Sequence, residues 1–378
     1  MKQLQILINL FLIISSFSIL IACNGKTKSD QQDNTMQVAE KETNKPQQTE
    51  YIEKPVVQES SILQQELEIF DIGMYEVKPQ KSTGFISLSE IYPEGEHPDS
   101  VLFPDLSDKK FEDVRYLPLT SNRRELFLSR TKISETDNLF IYDFATNVLA
   151  KFKIANLNVI AIPSVYRTKE DWPFPQEDFM VGFEIKPNDL KKFGTYLGNC
   201  LVYIGKENPF IQGQVKPIKW DKIAEKEFPS TPTDATTYSK INADLKSGYD
   251  ENLAITNKNV QANAYKYEAD GYQYFVKSFF IKNEEYNEVI ARRLLIFKSD
   301  SRELVCEKTY IESDGTTPTP LNYIEGNQNK GVYQWTGKLF KDKPPVIFGF
   351  EYASFGCPEI TFLSKSEGDL YINCDNRH

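Results

Sequence analysis

The sequence predicts an all-β protein, and three observations lead to this class. Short runs of aliphatic, β-branched and aromatic residues recur along the chain, separated by turn residues. Aromatic residues make up 13% of the chain, with 25 Phe and 20 Tyr against 3 Trp, and such side chains pack well on pleated strands. The runs also group in fours, which predicts four-stranded units.

The strand predictions run almost to the end of the chain. In order, they are 125–131, 138–144, 148–154, 159–166, 178–185, 200–205, 215–220, 272–281, 289–297, 303–310, 332–340, 346–353, 359–363 and 369–373. Grouped in fours, they give units at 112–154, 159–220, 264–310 and 331–375. Units of roughly 45 residues are typical of propeller blades, so we predict a propeller-like arrangement of four-stranded units. Two packed β-sandwich domains would give a similar strand list and are the alternative.

One or two short helices accompany the strands. Residues 233–248 carry Tyr238, Ile241 and Leu245 at helical spacing, and Gly248 is suited to end a helix. A second short helix is predicted at 61–70 on the same kind of spacing. An internal domain boundary would fall within 221–263, between the second and third strand units.

The N-terminus contains a different signal. Residues 6–22 form an uncharged, mostly apolar run after Lys2. This run is close in length to a signal-peptide core and slightly short for a membrane span. It ends in Leu20-Ile21-Ala22-Cys23, which resembles the lipobox of bacterial lipoproteins. An uncleaved signal anchor with an incidental cysteine is the alternative.

The resemblance to bacterial lipoproteins covers residues 1–23 only, and it implies where the protein lies. Residues 1–22 would be a signal peptide that is removed, and Cys23 would become the lipidated first residue, carrying fatty acyl chains such as palmitate. Residues 23–60, which are polar with Tyr51 as their one aromatic residue, would be a disordered tether, and residues 61–378 the β-rich folded region. In such lipoproteins Asp after the cysteine favours retention at the inner membrane, so Asn24 favours the outer membrane of the cell envelope.

The charge balance excludes one class of partner. The formal net charge is −10, and the sequence contains no basic stripe or arginine cluster. Nucleic-acid binding depends on basic side chains that neutralise phosphates, so we predict no nucleic-acid partner.

Four cysteines follow Cys23, an even number that permits two disulfides in an exported protein. Cys357 and Cys374 bracket the last predicted hairpin, which makes them the candidate pair. Pairing Phe362 with Leu370 would place Cys374 opposite Pro358, so the two thiols would point to opposite faces unless Pro358 causes a bulge. Cys200 and Cys306 fit small buried side chains.

The sequence offers few catalytic groups and predicts no cofactor, metal site or catalytic residue. It has two histidines, His97 and His378, and no HExxH, Walker, CxxC or GxSxG motif. Carboxylates are numerous, and a glycosidase needs only two of them in a cleft. Paired acids in an aromatic-lined cleft would therefore favour an enzyme over a binding protein.

The loop "KEDWPFPQEDF" at 169–179 is the candidate binding loop. It places Trp172 and Phe174 between prolines and acids, where they cannot easily join a central sheet and could present their rings to solvent. The alternative is that the rings fold back and seal the edge of a core. The sequence as a whole predicts an envelope lipoprotein that binds another envelope protein, a glycan or a toxin. A carboxylate-dependent glycan hydrolase is the alternative function.

Overall fold

The computed structural model describes residues 67–89, 91, 106–175, 178–248, 252–256, 258–282, 287–324, 331–354 and 356–376. All of them belong to one compact unit, Gln65–His378. The predicted signal peptide, Cys23 and the predicted tether lie outside the described residues. Within the described part, no helix is both long enough and apolar enough to cross a membrane.

A nine-stranded sheet forms the centre of the fold, with strands numbered in chain order. From one edge to the other its strands are β10 (Val215–Pro217), β17 (Trp335–Gly337), β18 (Val346–Phe348), β20 (Glu359–Phe362), β21 (Leu370–Asn373), β1 (Ile69–Phe70), β9 (Cys200–Gly205), β5 (Asn138–Asp143) and β6 (Val148–Lys153). All neighbours are antiparallel except β1 and β21, which are parallel.

Three smaller sheets and four α-helices complete the described part. One five-stranded sheet has the order β2 (Gly73–Lys78), β3 (Lys81–Ser87), β8 (Phe179–Ile185), β7 (Val159–Pro163) and β4 (Leu117–Leu119). The other is a meander of β11 (Asp221–Ile223), β12 (Val260–Ala269), β13 (Tyr272–Lys282), β14 (Asn287–Lys298) and β15 (Leu304–Ile311). The two-stranded sheet pairs β16 (Thr316–Pro318) with β19 (Glu351–Ala353). The helices are α1 (Phe111–Val114), α2 (Asn122–Arg130), α3 (Pro187–Leu190) and α4 (Asp234–Gly248).

Side chains that alternate along the central strands build two cores on opposite faces of the nine-stranded sheet. In β5, Leu139 and Ile141 face a core shared with the β2–β3–β8–β7–β4 sheet, while Phe140 and Tyr142 face a second core. This second core also contains residues of β17, β18 and β20, so the nine-stranded sheet curls around it. The same alternation in β18 sends Ile347 into a third core, against the β11–β15 meander.

The all-β prediction with one or two short helices is confirmed. The sequence unit at 264–310 supplies consecutive neighbouring strands of the meander. The other three units, 112–154, 159–220 and 331–375, divide their strands between sheets, since 331–375 gives β19 to the two-stranded sheet. The nine-stranded sheet shares one apolar core with the β2–β3–β8–β7–β4 sheet and another with the β11–β15 meander. The helix predicted at 233–248 is α4, which buries Ile241 and Leu245 against the meander.

Two local predictions differ from the structure. Residues 125–131 were predicted to form a strand, but most of them belong to α2. In α2 only Phe127 and Leu128 are buried, and Leu126 packs against the same core, so one face of the helix covers this core while its other residues stay polar. The helix predicted at 61–70 is wrong at its described end, where Ile69–Phe70 is strand β1 and pairs with β9 and β21.

Candidate ligand cleft

A cleft of about 490 Å³ opens between the nine-stranded sheet and the β16–β19 sheet. The described residues include eight large apolar or aromatic side chains that are exposed, and four of them line this cleft. They are Tyr196, Tyr333, Tyr352 and Tyr371, which are 67%, 36%, 66% and 63% exposed. A concave surface that collects exposed rings differs from the scattered apolar residues of an ordinary surface, and it marks a candidate binding site.

Strand geometry explains why these tyrosines face outward. Tyr371 lies between Leu370 and Ile372, which pack against the second core, so alternation along β21 directs the tyrosine to the opposite face. Tyr352 lies at the centre of the short strand β19, which has only β16 as a partner. The two rings therefore project from separate sheets into one cleft.

The floor of the cleft is made of buried and half-buried aromatic rings in edge-to-face and stacked contacts. The Phe144 ring lies 5.2 Å from the Trp335 ring and 5.1 Å from the Phe348 ring, both edge to face. Nearby, Tyr310 and Phe350 stack with ring centres 5.0 Å apart and planes 9° apart. These contacts restrict the rings, so the floor is preformed.

A buried amide network supports this floor from behind. The Gln334 side chain donates from Nε2 to Thr319 Oγ1 at 2.8 Å, and its Oε1 accepts from the Asn322 backbone N–H at 2.9 Å. Asn322 Nδ2 in turn donates to the Gln334 carbonyl oxygen at 2.7 Å. Gly349 has φ of +86°, and a Cβ atom there would lie 1.9 Å from the Tyr333 carbonyl oxygen. The backbone that carries two cleft residues, Tyr333 and Phe350, is thereby fixed.

In the described part of the chain, the charged side chains that line the cleft are all acidic: Asp71, Glu351 and Glu359. Burial raises the pKa of Asp71 to about 6, with a smaller contribution from the negative charge of Asp375. Burial also raises the pKa of Glu351 to about 7, with repulsion from Glu359 adding to it and Lys308 opposing it. The cleft therefore holds carboxyl groups whose charge is unfavourable while no ligand is bound.

Glu359 has a different environment from Glu351. Lys308 Nζ lies 2.6 Å from Glu359 Oε1 and 2.5 Å from Asp369 Oδ2, so Glu359 has a cationic partner. Glu351 has no ion pair among the described residues. Buried Tyr310 lies within electrostatic reach of both glutamates: burial, above all, raises its pKa well above the ordinary value, and both carboxylates add to this shift.

The predicted binding loop does not present its rings to solvent. Phe174 is buried and Trp172 is half-buried, and both pack against the core shared by the nine-stranded and β2–β3–β8–β7–β4 sheets. Their rings lie 4.8 Å apart, and the Trp172 indole N–H donates to the Lys109 carbonyl oxygen at 2.9 Å. The prediction of exposed rings is therefore wrong, because Phe111 and Phe179 lie close enough for the loop rings to pack on them.

Cys357 and Cys374 form a disulfide, with Cα atoms 5.6 Å apart, and Cys357 lines the cleft. The register predicted for this hairpin is wrong by two residues, since Leu370 pairs with Ile360 and not with Phe362. The β20–β21 ladder ends at Glu359 and Tyr371, so both cysteines lie beyond it. Strand alternation does not hold their thiols on opposite faces there. Cys200 and Cys306 are free and buried.

His97 and His378 lie outside the described residues. Where the structure describes the chain, no group of three or more His, Cys, Asp or Glu side chains could hold a metal ion. Sequence reasoning missed all four cleft tyrosines. The positions of Tyr352 and Tyr371 depend on strand pairing, which the sequence pattern does not specify.

Comparisons with protein families, with curated proteins and with solved structures found no match for this chain.

Proposed function

We propose that this chain is a lipid-anchored protein of the bacterial envelope that binds a neutral glycan in the tyrosine-lined cleft. The observation that carries the proposal is the convergence of four exposed tyrosines on one cleft of about 490 Å³. This volume lies in the range of roughly 300–1,000 Å³ that is usual for small-molecule sites.

The chemistry of the cleft favours a sugar over a purely apolar ligand. A sugar ring has an apolar C–H face that can lie on a tyrosine ring, and hydroxyl groups at its edge that need hydrogen-bond acceptors. The tyrosines provide rings with polar tips, and Asp71, Glu351 and Glu359 provide acceptors. Among the described residues, the lining contains acids and no basic side chain, which repels uronic, sialic and sulfated sugars, so a neutral glycan fits best.

The anchor is supported by the lipobox-like residues 20–23 and by the polar segment that follows them. Lipidation at Cys23 would hold the folded unit at the outer membrane, where envelope glycans are within reach.

Metabolic labelling with a palmitate analogue tests the anchor. We expect label on the native chain and on Cys200→Ala, and none on Cys23→Ala. Equal label on Cys23→Ala would contradict the proposed anchor.

Binding can be followed in the full-length chain through the fluorescence of Trp335, which lines the cleft. The ligands are maltohexaose, cellohexaose, xylohexaose and hexa-N-acetylchitohexaose, all neutral, with oligogalacturonate as the anionic comparison. We expect at least one neutral hexasaccharide to bind and oligogalacturonate not to bind.

Variants show whether the cleft is the binding site. Tyr352→Ala and Tyr371→Ala should each weaken binding by about tenfold or more, because a buried ring contact typically contributes ~1.4 kcal/mol or more. Tyr323→Ala is the matched control, since Tyr323 is 45% exposed but lies outside the cleft. If no neutral hexasaccharide binds, or if all three variants bind alike, the proposed function is wrong.

A further inference from the structure

We propose that a lysine patch at the edge of the nine-stranded sheet holds the folded unit against anionic phospholipid headgroups. The patch consists of Lys151, Lys153, Lys186 and Lys192. This inference rests on the lipid anchor of the proposed function, because the anchor brings the folded unit to a bilayer. It goes further in naming the surface that meets the bilayer and the lipid class that this surface binds.

Three of the four lysines line a recess of about 350 Å³ beside strand β6. They are Lys151 and Lys153 from β6 itself and Lys186 from the N-cap of α3. The fourth, Lys192, places its Nζ 4.6 Å from the centre of the Phe152 ring, which lines the same recess. Two separate segments of the chain therefore bring four exposed lysines to one site.

The patch lysines lack acidic partners. None of the four has an ion pair among the described residues, whereas other exposed lysines do: Lys169 with Glu112 and Lys206 with Asp137. The ammonium groups of the patch are therefore available to the phosphates of lipid headgroups. Because the net charge of the chain is −10, an anionic bilayer repels most of its surface, and the patch decides which side makes contact.

The recess also contains two carboxylates, and one of them is already satisfied. Glu184 Oε1 accepts from the Thr83 hydroxyl at 3.0 Å, and Oε2 accepts from the Tyr116 hydroxyl at 2.9 Å and from Asn158 Nδ2 at 2.8 Å. Asp189 is the other carboxylate in the described lining. Three lysines against two carboxylates leave the recess positive, and the nearby Lys192 adds to this charge.

Protection of the sheet edge explains only part of the patch. In the described part of the chain, β6 is an edge strand of the nine-stranded sheet, and lysines on an edge discourage pairing with another strand. That role accounts for Lys151 and Lys153. It does not account for Lys186 and Lys192, which belong to no strand. An anionic surface accounts for all four.

The strand register places the patch at the end of the sheet where the chain enters the fold. Phe70 of β1 and Ala150 of β6 lie in one row, which runs through β9 and β5. The two strands are three strand spacings apart, about 14–15 Å, and run in opposite directions. Leu67, before β1, and Lys153, at the end of β6, therefore lie toward the same end. The chain that leads back to Cys23 joins the fold at the end that carries the patch.

Cleft residues lie at the opposite end of β5. Asn138, which begins β5, pairs with Lys153, whereas Asp143, which ends β5, pairs with Cys200. Cys200 lines the cleft, as does Phe144, the residue after β5. A bilayer bound at the lysine end leaves this part of the cleft uncovered, so headgroup binding and glycan binding are compatible.

The test measures how fast each lysine is acetylated when the full-length, lipidated chain is anchored in vesicles. Vesicles of phosphatidylcholine alone are compared with vesicles that also contain phosphatidylglycerol, and mass spectrometry reports each site. We expect phosphatidylglycerol to slow acetylation of the patch lysines by about threefold or more, and about 1 M salt, where the Debye length is about 3 Å, to remove this protection. Lys240 and Lys246, which are exposed on α4, should react equally in both kinds of vesicle.

Variants assign the protection to the patch. The double variant Lys151→Glu/Lys153→Glu should abolish protection of the two other patch lysines, because the reversed charges repel the headgroups. The matched control, Lys240→Glu/Lys246→Glu, should retain it. Both double variants should bind the neutral hexasaccharide as the native chain does, since none of these residues lines the cleft.

Each outcome has a definite meaning. Equal acetylation in the two kinds of vesicle would overturn this inference and leave the anchor and the glycan site intact. Protection that persists in Lys151→Glu/Lys153→Glu would also overturn it. So would equal protection by soluble glycerol phosphate in phosphatidylcholine vesicles, since the recess would then bind free phosphate. A chain that carries no palmitate label and does not float with vesicles would overturn the anchor and, with it, this inference.

Discussion

The candidate binding loop at 169–179 and the cleft use aromatic and acidic residues in opposite ways. In the loop, the rings of Trp172 and Phe174 close on each other and on the core. Its carboxylate Asp171 remains at the surface, where Oδ2 accepts from the Thr168 backbone N–H at 2.8 Å and hydroxyl at 2.9 Å. These hydrogen bonds lower the pKa of Asp171.

In the cleft the arrangement is reversed. The rings of Tyr352 and Tyr371 are exposed, while the carboxyl groups of Asp71 and Glu351 are withdrawn from water and have raised pKa values. The loop buries its rings and exposes its carboxylate, which stabilises a fold, whereas the cleft exposes its rings and buries its carboxyl groups. Departures of this kind are typical of sites that are completed by a ligand.

The largest expected effect is on the free energy of unfolding, which should depend strongly on the loop rings and only weakly on the cleft rings. Phe174→Ala should lower the free energy of unfolding by about 3–5 kcal/mol, because it leaves a cavity beside Phe111 and Phe179. Tyr352→Ala should change it by less than about 0.5 kcal/mol, since this ring is 66% exposed. Urea unfolding followed by circular dichroism measures both values.

Glycan affinity should respond in the opposite order. Folded Phe174→Ala should bind the hexasaccharide as the native chain does, whereas Tyr352→Ala should not. A destabilised Tyr352→Ala variant with native affinity would show that its ring belongs to the fold, and the contrast would fail.

The next effect concerns the disulfide at the edge of the cleft. Replacing Cys357 and Cys374 together by alanine should lower the free energy of unfolding by about 3 kcal/mol. The reason is that the bond closes a loop with a sequence separation of 17 in the unfolded chain. The measurement compares the native chain with and without reductant, using the double variant as the control for incidental thiol chemistry.

Reduction should also weaken glycan binding, because Cys357 and its neighbour Pro358 line the cleft. If reduction leaves both stability and affinity unchanged in the native chain, the disulfide does not hold this wall in place.

The sequence predicts the fold class because that information is local. Short, continuous apolar runs specify β5 and β9, which are buried on both faces, and the spacing of Ile241 and Leu245 specifies α4. Register is less local, so the pairing of Leu370 could not be read from apolar alternation, which a shift of two residues preserves.

The candidate cleft could not be predicted for the same reason. Asp71 and Glu351 are 280 positions apart, and they line one cleft only because β1 and β21 pair and the nine-stranded sheet curls. Local sequence also does not show that the Trp172 ring packs on Phe111 and Phe179 while the Tyr352 ring stays exposed. Exposure of a ring depends on which apolar surface the fold brings within reach.

The smallest expected effect tests the carboxylates. The pKa of Asp71 is raised from 3.8 to about 6, so the folded state holds a proton that the unfolded state has lost between these pH values. Stability must therefore fall as the pH rises through this window. Asp71→Asn removes the unfavourable burial of a charged carboxylate. It should raise the free energy of unfolding by about 1–2 kcal/mol at pH 7.5 and leave it unchanged near pH 3.5.

Asp171→Asn is the matched control from the loop, and it should change the free energy of unfolding in the opposite direction. Its pKa is lowered by hydrogen bonds from Thr168, so its stabilising contribution is present at neutral pH and is lost in acid. A neutral substitution should therefore destabilise the chain at pH 7.5 and not near pH 3.

Because the charge of Asp375 also raises the pKa of Asp71, the gain in stability from Asp71→Asn should shrink in an Asp375→Asn background. If Asp71→Asn and Asp171→Asn changed the free energy of unfolding in the same direction at pH 7.5, the contrast would fail. The charge of Asp71 would then not destabilise the fold while that of Asp171 stabilises it.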